Sequence, residues 1–155
     1  MSTHIMIRTV TADEAEQVCR SITADLPEYF GLPECNEQYA QGVRARTNMC
    51  IEVNGTMAGL LSMEFPYPNN ANIYWMGIIR SFHRQGLGKS LLKSSVELAK
   101  RMGAETMTVE TLAPSESDES YMKTYRFYES NGFKPMFHLK PEGYKWDMVY
   151  MVKYL

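Results

Sequence analysis

The sequence lacks the features that would place the chain in a membrane or an oxidising compartment. Only three of its 155 residues are cysteines, and Cys19, Cys35 and Cys50 are widely spaced with no CxxC pair. This spacing argues against a disulfide framework and a cysteine zinc site, and it predicts reduced thiols. No apolar run approaches the length of a membrane span, and no basic-then-apolar signal pattern opens the chain. We therefore expect a cytoplasmic protein with no membrane partner.

Charge and histidine are also sparse where other functions would need them. The net charge of −2 gives no reason to expect a nucleic-acid partner. His4, His83 and His138 do not follow a metal-ligand spacing, so no metal is expected. With 45% apolar and 22% charged residues the composition is ordinary. The length predicts a single domain over residues 1–155.

What the sequence does contain is a glycine-bearing stretch between an apolar run and a helical pattern. Residues 73–79 read as a buried strand, and apolar residues recur at helical spacing over 87–102. A strand that turns through two glycines into a helix leaves unpaired N–H groups at the positive end of the helix dipole. The stretch therefore predicts a site for a phosphate or pyrophosphate, formed by His83, Arg84, Gln85, Gly86, Leu87, Gly88, Lys89 and Ser90.

Two common phosphate-binding motifs fit this stretch poorly. The sequence Gly88-Lys89-Ser90 matches the end of a P-loop, but that motif needs a glycine where His83 stands. A dinucleotide-binding GxGxxG fails as well, because no third glycine follows Gly86 and Gly88 at the required spacing. A nucleotide hydrolase or a dinucleotide-binding domain is therefore disfavoured.

The order of predicted elements is β, α, α, β, β, β, α, β, α, β, β. Thr11 and Glu14 form a capping box for the first helix, and Asn54-Gly55 predicts a tight hairpin. A second helix is predicted over 36–46, after a loop that contains two prolines. Strand 72–79, helix 87–102 and strand 105–111 form a crossover unit, so these strands should lie parallel. The last two strands should pair with each other, which gives a mixed α/β fold.

A second motif lies downstream, in residues 121–133, which read YMKTYRFYESNGF. This segment resembles the late helix of the GCN5-related N-acetyltransferases (GNAT), which commonly ends FYExxGF. The stretch at 83–90 resembles the [QR]-x-x-G-x-[GA] loop with which that family holds the pyrophosphate of acyl-CoA, although His83 replaces the usual Gln or Arg. The resemblance implies a GNAT-like acyl-CoA N-acyltransferase fold, with a central mixed sheet of about seven strands and about four helices.

The resemblance also implies a reaction, the direct transfer of an acetyl group from acetyl-CoA to an amine. Backbone groups of Gly77, Ile78 and Ile79 would pair with the pantetheine arm, and Thr124 and Tyr128 of the late helix would also contact the cofactor. Tyr128 matches the family's usual general acid, which protonates the departing sulfur. The general base is less defined, since Glu64, near the end of the third strand, and Glu110, on the strand after the crossover, could each act through a water.

The acceptor amine is the least determined part of this interpretation. The loop at 25–35 is acidic and aromatic, and Glu28, Tyr29 and Phe30 are the predicted acceptor-binding residues. The acceptor is therefore expected to be a small cationic amine or a protein amine. A non-catalytic acyl-CoA sensor of the same fold is the alternative function, and a homodimer is left open.

Overall fold

The structure, a computed structural model, describes residues 3–115 and 119–155. Within these residues the elements are β1 (Ile5–Thr9), α1 (Ala12–Asp25), α2 (Pro33–Gly42), β2 (Thr47–Val53), β3 (Thr56–Glu64), β4 (Asn70–Ile78), α3 (Leu87–Arg101), β5 (Thr106–Leu112), α4 (Glu119–Ser130), β6 (Lys134–Leu139) and β7 (Met148–Tyr154). Over the same residues seven strands form one sheet, in the order β1-β2-β3-β4-β5-β7-β6. The predicted mixed sheet with four helices is confirmed.

The chain divides into two compact units. One runs to Glu64 and resumes over Tyr74–Leu98, and the other comprises Phe65–Ile73 and Ala99–Leu155. The core of the first unit is apolar and includes Ala15, Val18, Cys19, Ile22, Leu26, Val43, Cys50, Leu60 and Trp75. The second unit buries Met107, Val109, Phe133, Val149 and Met151. A single domain over residues 1–155 stays a prediction.

The first helix begins where the sequence predicts it. The Thr11 hydroxyl accepts from Glu14 N–H at 3.2 Å, and the Glu14 carboxylate accepts from Thr11 N–H at 3.1 Å, so both halves of the capping box are formed. Arg8 donates to Glu14 at 2.7 Å and to Glu52 at 3.0 Å. These contacts tie α1 to β1 and β2, and the Arg8 hydrogen bond is the main reason that the pKa of Glu14 falls to about 2.

The second helix differs from its prediction. It begins at Pro33 and ends at Gly42, where a 3₁₀ turn over Val43–Ala45 follows, instead of spanning 36–46. Proline lacks an N–H and has a fixed φ, so it breaks a helix interior but suits the first helical position, where no N–H is needed. The proline that we expected in a loop therefore starts the helix.

The hairpin and the crossover unit are as expected. Asn54 and Gly55 have φ of 50° and 83°, as a two-residue turn between β2 and β3 requires. In the second unit, Asn70–Ile73 of β4 pair in parallel with Thr106–Val109 of β5. The predicted antiparallel pairing of β6 with β7 is present, and β7 also pairs with β5 along its whole length. The last strand of the chain therefore lies inside the sheet and β6 lies at its edge.

In the part of the chain that the structure describes, each helix is too short or too polar to cross a bilayer.

Candidate active site

The loop between β4 and α3 has a backbone suited to an anion. Arg84 and Gly86 both have positive φ, 63° and 74°. Left-handed residues turn successive amides toward one side and create the concave arrangement called a nest. The amides of the first turn of α3 have no partner within the helix until Ser90 N–H donates to Gly86 O at 3.2 Å. Oriented amides and the helix dipole therefore converge on this loop.

The side chains of this loop divide into one anchor and several exposed groups. Leu87 is buried in the first turn of α3, where it fixes the start of the helix against apolar neighbours. The other predicted residues of the loop are accessible, and they are His83, Arg84, Gln85, Gly86, Gly88, Lys89 and Ser90. Arg84 and Lys89 add two positive charges to the oriented amides, which suits a multiply charged phosphate.

A short turn fixes this loop to the end of β4. Ile79 N–H donates to Ala58 O at 2.8 Å, and Phe82 N–H donates to Ile79 O at 2.9 Å. The His83 ring nitrogen Nε2 lies 2.6 Å from Ile78 O. Because a carbonyl oxygen only accepts, Nε2 carries the proton and donates. The His83 side chain therefore supports the loop through its contact with Ile78 O.

Gly77 is required by packing. A Cβ at this position would lie 2.7 Å from Ile22 Cγ2 and 2.9 Å from Trp75 Cη2. Neither neighbour is free to move, since both are buried in the core of the first unit. The glycine therefore lets the β4 backbone approach α1 closely just before the loop.

Each of the predicted acceptor-binding residues already has a partner within the chain. Glu28 forms an ion pair with Arg80. Phe30 lies 5.4 Å from Trp75 and 6.4 Å from Tyr29 between ring centroids. Tyr29 and Phe30 are half-buried against the core. The carboxylate of Glu28 is thus already matched by a cation of its own chain, and the two rings support the fold as well as offering surface.

The two candidate carboxylates occupy different environments. Glu64 accepts from Arg46 Nε at 2.9 Å, and the Arg46 guanidinium lies 3.6 Å from the centre of the Tyr74 ring. Glu110, by contrast, stands opposite Tyr150 in the β5–β7 ladder. Burial raises the pKa of Glu110, and a hydrogen bond from Tyr150 partly opposes this shift. Glu64 is therefore an ion-pair partner of Arg46, whereas Glu110 is a half-buried carboxyl whose pKa lies above its ordinary value.

Tyr128 lies on α4 in the second unit and is 5% exposed. Its ring centroid is 5.4 Å from those of both Phe127 and Phe133, in edge-to-face geometry. Burial raises the pKa of the Tyr128 phenol above its usual value, so the hydroxyl stays protonated across the physiological range. Thr124, one turn earlier on the same helix, is half-buried.

The two buried cysteines, Cys19 and Cys50, are poor candidates for nucleophilic chemistry. All three are free thiols, and burial raises the pKa of Cys50 to about 11 and that of Cys19 to about 12. A thiol with such a pKa carries almost no thiolate near neutral pH, and the thiolate is the nucleophile. Among the described residues no group of His, Cys, Asp or Glu side chains is arranged to hold a metal ion.

Comparison with known proteins identifies the family to which this loop and helix belong. The model of the Acetyltransferase (GNAT) family matches residues 15–133, which include both the loop at 83–90 and the whole of α4. The chain belongs to the GNAT acetyltransferase family. No curated protein matches the chain.

Solved GNAT structures share this fold at low sequence identity. A GNAT-family protein from Desulfovibrio desulfuricans has a TM-score of 0.82 at 20% identity, over 97% of this chain and 99% of that chain. The ribosomal-protein-S18-alanine N-acetyltransferase of Escherichia coli has a TM-score of 0.77 at 18% identity, over 97% and 94%. The PaiA N-acetyltransferase of Thermoplasma acidophilum, solved with coenzyme A, has a TM-score of 0.74 at 16% identity, over the full length of both chains. These likenesses establish the GNAT fold.

Two arginines near the predicted site residues were not anticipated from the sequence of this GNAT protein. Arg46 pairs with Glu64, and Arg80 pairs with Glu28. Arg80 directly follows the apolar run that precedes the loop at 83–90, and Glu28 carries the opposite charge. These two features of the sequence could have suggested an ion pair. Charge complementarity alone does not select one partner among the chain's 18 acidic residues. The partner of Arg80 can therefore be identified only from the folded structure.

Proposed function

We propose that this GNAT protein is an acetyl-CoA-dependent N-acetyltransferase that transfers the acetyl group directly to an amine of a small molecule or a protein. The observation that carries the proposal is the loop at 83–90, where Arg84 and Gly86 turn amides toward one side at the N-terminus of α3. Such a loop suits the pyrophosphate of acyl-CoA. The PaiA structure, which contains coenzyme A, supports this assignment.

The proposed reaction needs one group to take a proton and another to give one. The neutral amine nitrogen attacks the thioester carbon, the carbon–sulfur bond breaks, and the electron pair leaves with sulfur. We assign Glu110 as the base, acting through a water, because its burial raises its pKa and brings it closer to that of an effective base at neutral pH. Glu64 is the weaker candidate because Arg46 already holds its carboxylate.

Tyr128 is assigned as the proton donor to the departing sulfur. Its raised pKa keeps the phenol neutral until negative charge develops on sulfur. As the carbon–sulfur bond breaks, the phenol donates a hydrogen bond to sulfur and then gives its proton to the thiolate. Holding both reactants in one site supplies a further part of the rate enhancement.

Binding and turnover measured together test the proposal. Calorimetry with acetyl-CoA should give a saturable heat. Thiol release should then accompany at least one amine from a panel of spermidine, kanamycin and a peptide with N-terminal alanine, the last chosen because one structural neighbour is named for an alanine of ribosomal protein S18. Acetyl-CoA binding without thiol release for any broad amine panel would support the non-catalytic sensor. Absence of acetyl-CoA binding would refute both functions.

Replacing Arg84 with glycine is expected to raise stability while it weakens the cofactor site. A non-glycine residue in the left-handed region costs about 1–2 kcal/mol, and the greater unfolded-state entropy of glycine offsets about 0.5–1 kcal/mol of the gain. Urea unfolding should therefore show a net gain centred on about 0.8 kcal/mol, and the KM for acetyl-CoA should rise because one cation is lost. Asn69→Gly, at φ of 61°, is the matched control and should leave that KM unchanged. A fall in KM for Arg84→Gly would contradict the proposed cofactor contact.

Glutamine substitutions should separate the two carboxylates. A carboxyl whose folded pKa is raised destabilises the fold once pH exceeds its unfolded value, and this cost is complete above the folded pKa. Glu110→Gln should therefore raise the melting temperature at pH 7.5 while it lowers kcat. Glu64→Gln removes the negative charge that pairs with Arg46, so it should lower the melting temperature and retain most turnover. In the wild type, kcat/KM should fall as pH drops through the raised pKa of Glu110. A fully active Glu110→Gln enzyme would exclude Glu110 as the base.

A further inference from the structure

Arg80 joins two segments of the first unit that are far apart in sequence. Its backbone N–H donates to Asp25 Oδ2 at 2.6 Å, and its guanidinium donates to Asp25 O at 3.3 Å. The same guanidinium pairs with the Glu28 carboxylate. One residue at the entrance to the loop at 83–90 thus makes two contacts with the last residue of α1 and one with the loop that follows.

Each of the two joined segments is a compact turn held by its own hydrogen bonds. Around Arg80, Phe82 N–H donates to Ile79 O at 2.9 Å and His83 N–H donates to Arg80 O at 3.0 Å. In the other segment, Tyr29 and Phe30 N–H both donate to Leu26 O at 3.0 Å. Arg80 therefore joins two turns that are each held by internal hydrogen bonds.

The loop at 25–30 also leads directly into the aromatic cluster of the first unit. Asn36 of α2 donates to Phe30 O at 2.9 Å, and Phe30 packs against Tyr39 and Trp75. Arg80 therefore contacts the turn at 25–30, and that turn continues into the half-buried ring of Phe30.

We propose that Arg80 is a positioning residue that couples the acetyl-CoA loop at 83–90 to the loop at 25–30, so that cofactor binding orders the surface presented to the amine. The coupling rests on the proposed function, because it assumes that the cofactor binds at 83–90. It assigns Glu28 and Asp25 to the coupling and not to direct binding of a cationic acceptor. Arg80 itself touches neither reactant.

Hydrogen exchange with acetyl-CoA alone tests the coupling without knowledge of the acceptor. In the wild type, acetyl-CoA should slow amide exchange at 83–90 and also at Tyr29 and Phe30. In Arg80→Ala the slowing should persist at 83–90 and be lost at Tyr29 and Phe30, whose basal exchange should become about tenfold faster. Arg44→Ala is the matched control, since Arg44 is a surface arginine of the same unit that pairs with Asp13 and Glu16. It should behave like the wild type.

Combined variants test whether the contacts between Arg80 and the loop at 25–30 act together. Glu28→Ala should reproduce most of the exchange pattern of Arg80→Ala, and the double variant should add nothing to Arg80→Ala, because both single variants remove the same guanidinium–carboxylate contact. Arg80→Lys, which keeps the charge, should restore part of the protection. With any amine that is turned over, Arg80→Ala should raise the acceptor KM about five- to tenfold and change kcat less than twofold, as loss of ground-state positioning predicts.

The outcomes that overturn the coupling differ from those that overturn the function. The coupling would be refuted if acetyl-CoA did not slow amide exchange at Tyr29 and Phe30 in the wild type. It would also be refuted if acetyl-CoA slowed exchange there equally in the wild type and in Arg80→Ala. Either result would leave the proposed function standing. Absence of protection at 83–90 would refute cofactor binding there. In that case the amide exchange of Tyr29 and Phe30 without cofactor still tests whether Arg80 holds the loop at 25–30. Equal exchange rates in the wild type and Arg80→Ala would show that it does not.

Discussion

Replacing Gly86 with valine is expected to weaken acetyl-CoA binding about a hundredfold. Gly86 has φ of 74°, and a β-branched residue in the left-handed region costs about 1–3 kcal/mol. The loop relieves this strain by returning φ to negative values, which turns the adjacent amides away from the anion. Each hydrogen bond lost to a charged group costs about 1.5–3 kcal/mol. Since every 1.4 kcal/mol is tenfold in affinity, calorimetry should detect the loss readily.

Two matched variants isolate the conformational cause of this loss. A Cβ at Gly86 meets no atom within 4 Å, so steric overlap within the protein does not contribute. Gly103→Val carries the same kind of strain, at φ of 96° and in open space, at the far end of α3, and it should leave acetyl-CoA affinity unchanged. Gly86→Asn should keep most of the affinity because asparagine tolerates left-handed φ. Wild-type affinity in Gly86→Val would mean that the cofactor does not use this loop.

Features encoded by adjacent residues were predictable from the sequence. The capping box of Thr11 and Glu14, the hairpin at Asn54-Gly55 and the loop before α3 each depend on a few neighbouring side chains. The predicted and observed bounds of most elements agree within two or three residues. The remaining differences lie at the ends because periodicity identifies the middle of a helix or strand better than its ends. Pro33 misled the prediction because the same fixed φ that breaks a helix also starts one.

Features that depend on distant residues were not predictable. The paired arrangement of the last two strands was expected, but the pairing of β7 with β5 joins the end of the chain to its middle. Arg80 and Asp25 are 55 positions apart, and no local pattern selects that contact. The same holds for the two candidate bases, since Glu64 and Glu110 look alike in the sequence. Arg46 beside one carboxylate and burial of the other distinguish them only in the folded chain.

Replacing Tyr128 with phenylalanine is expected to lower kcat about 10²- to 10³-fold, the range of a general acid in its reaction. Affinity for acetyl-CoA should stay within about twofold of the wild type, because the change removes a group that acts when charge develops on sulfur. Phenylalanine keeps the edge-to-face contacts with Phe127 and Phe133, so any change in stability reports on the hydroxyl alone. Steady-state kinetics, acetyl-CoA calorimetry and thermal unfolding of the same preparation measure the three quantities.

Tyr125→Phe provides the control for the Tyr128 variant, because it makes the same chemical change on α4, at a half-buried position. If removing either tyrosine hydroxyl from this helix lowered turnover, both variants would show the loss. We expect the loss of turnover only in Tyr128→Phe. The pKa of Tyr128 is raised by burial, so wild-type activity should show no loss at high pH from ionisation of an unperturbed phenol near pH 10. A Tyr128→Phe enzyme with wild-type kcat would assign the tyrosine to packing alone. The thiolate would then have to leave with stabilisation from other donors.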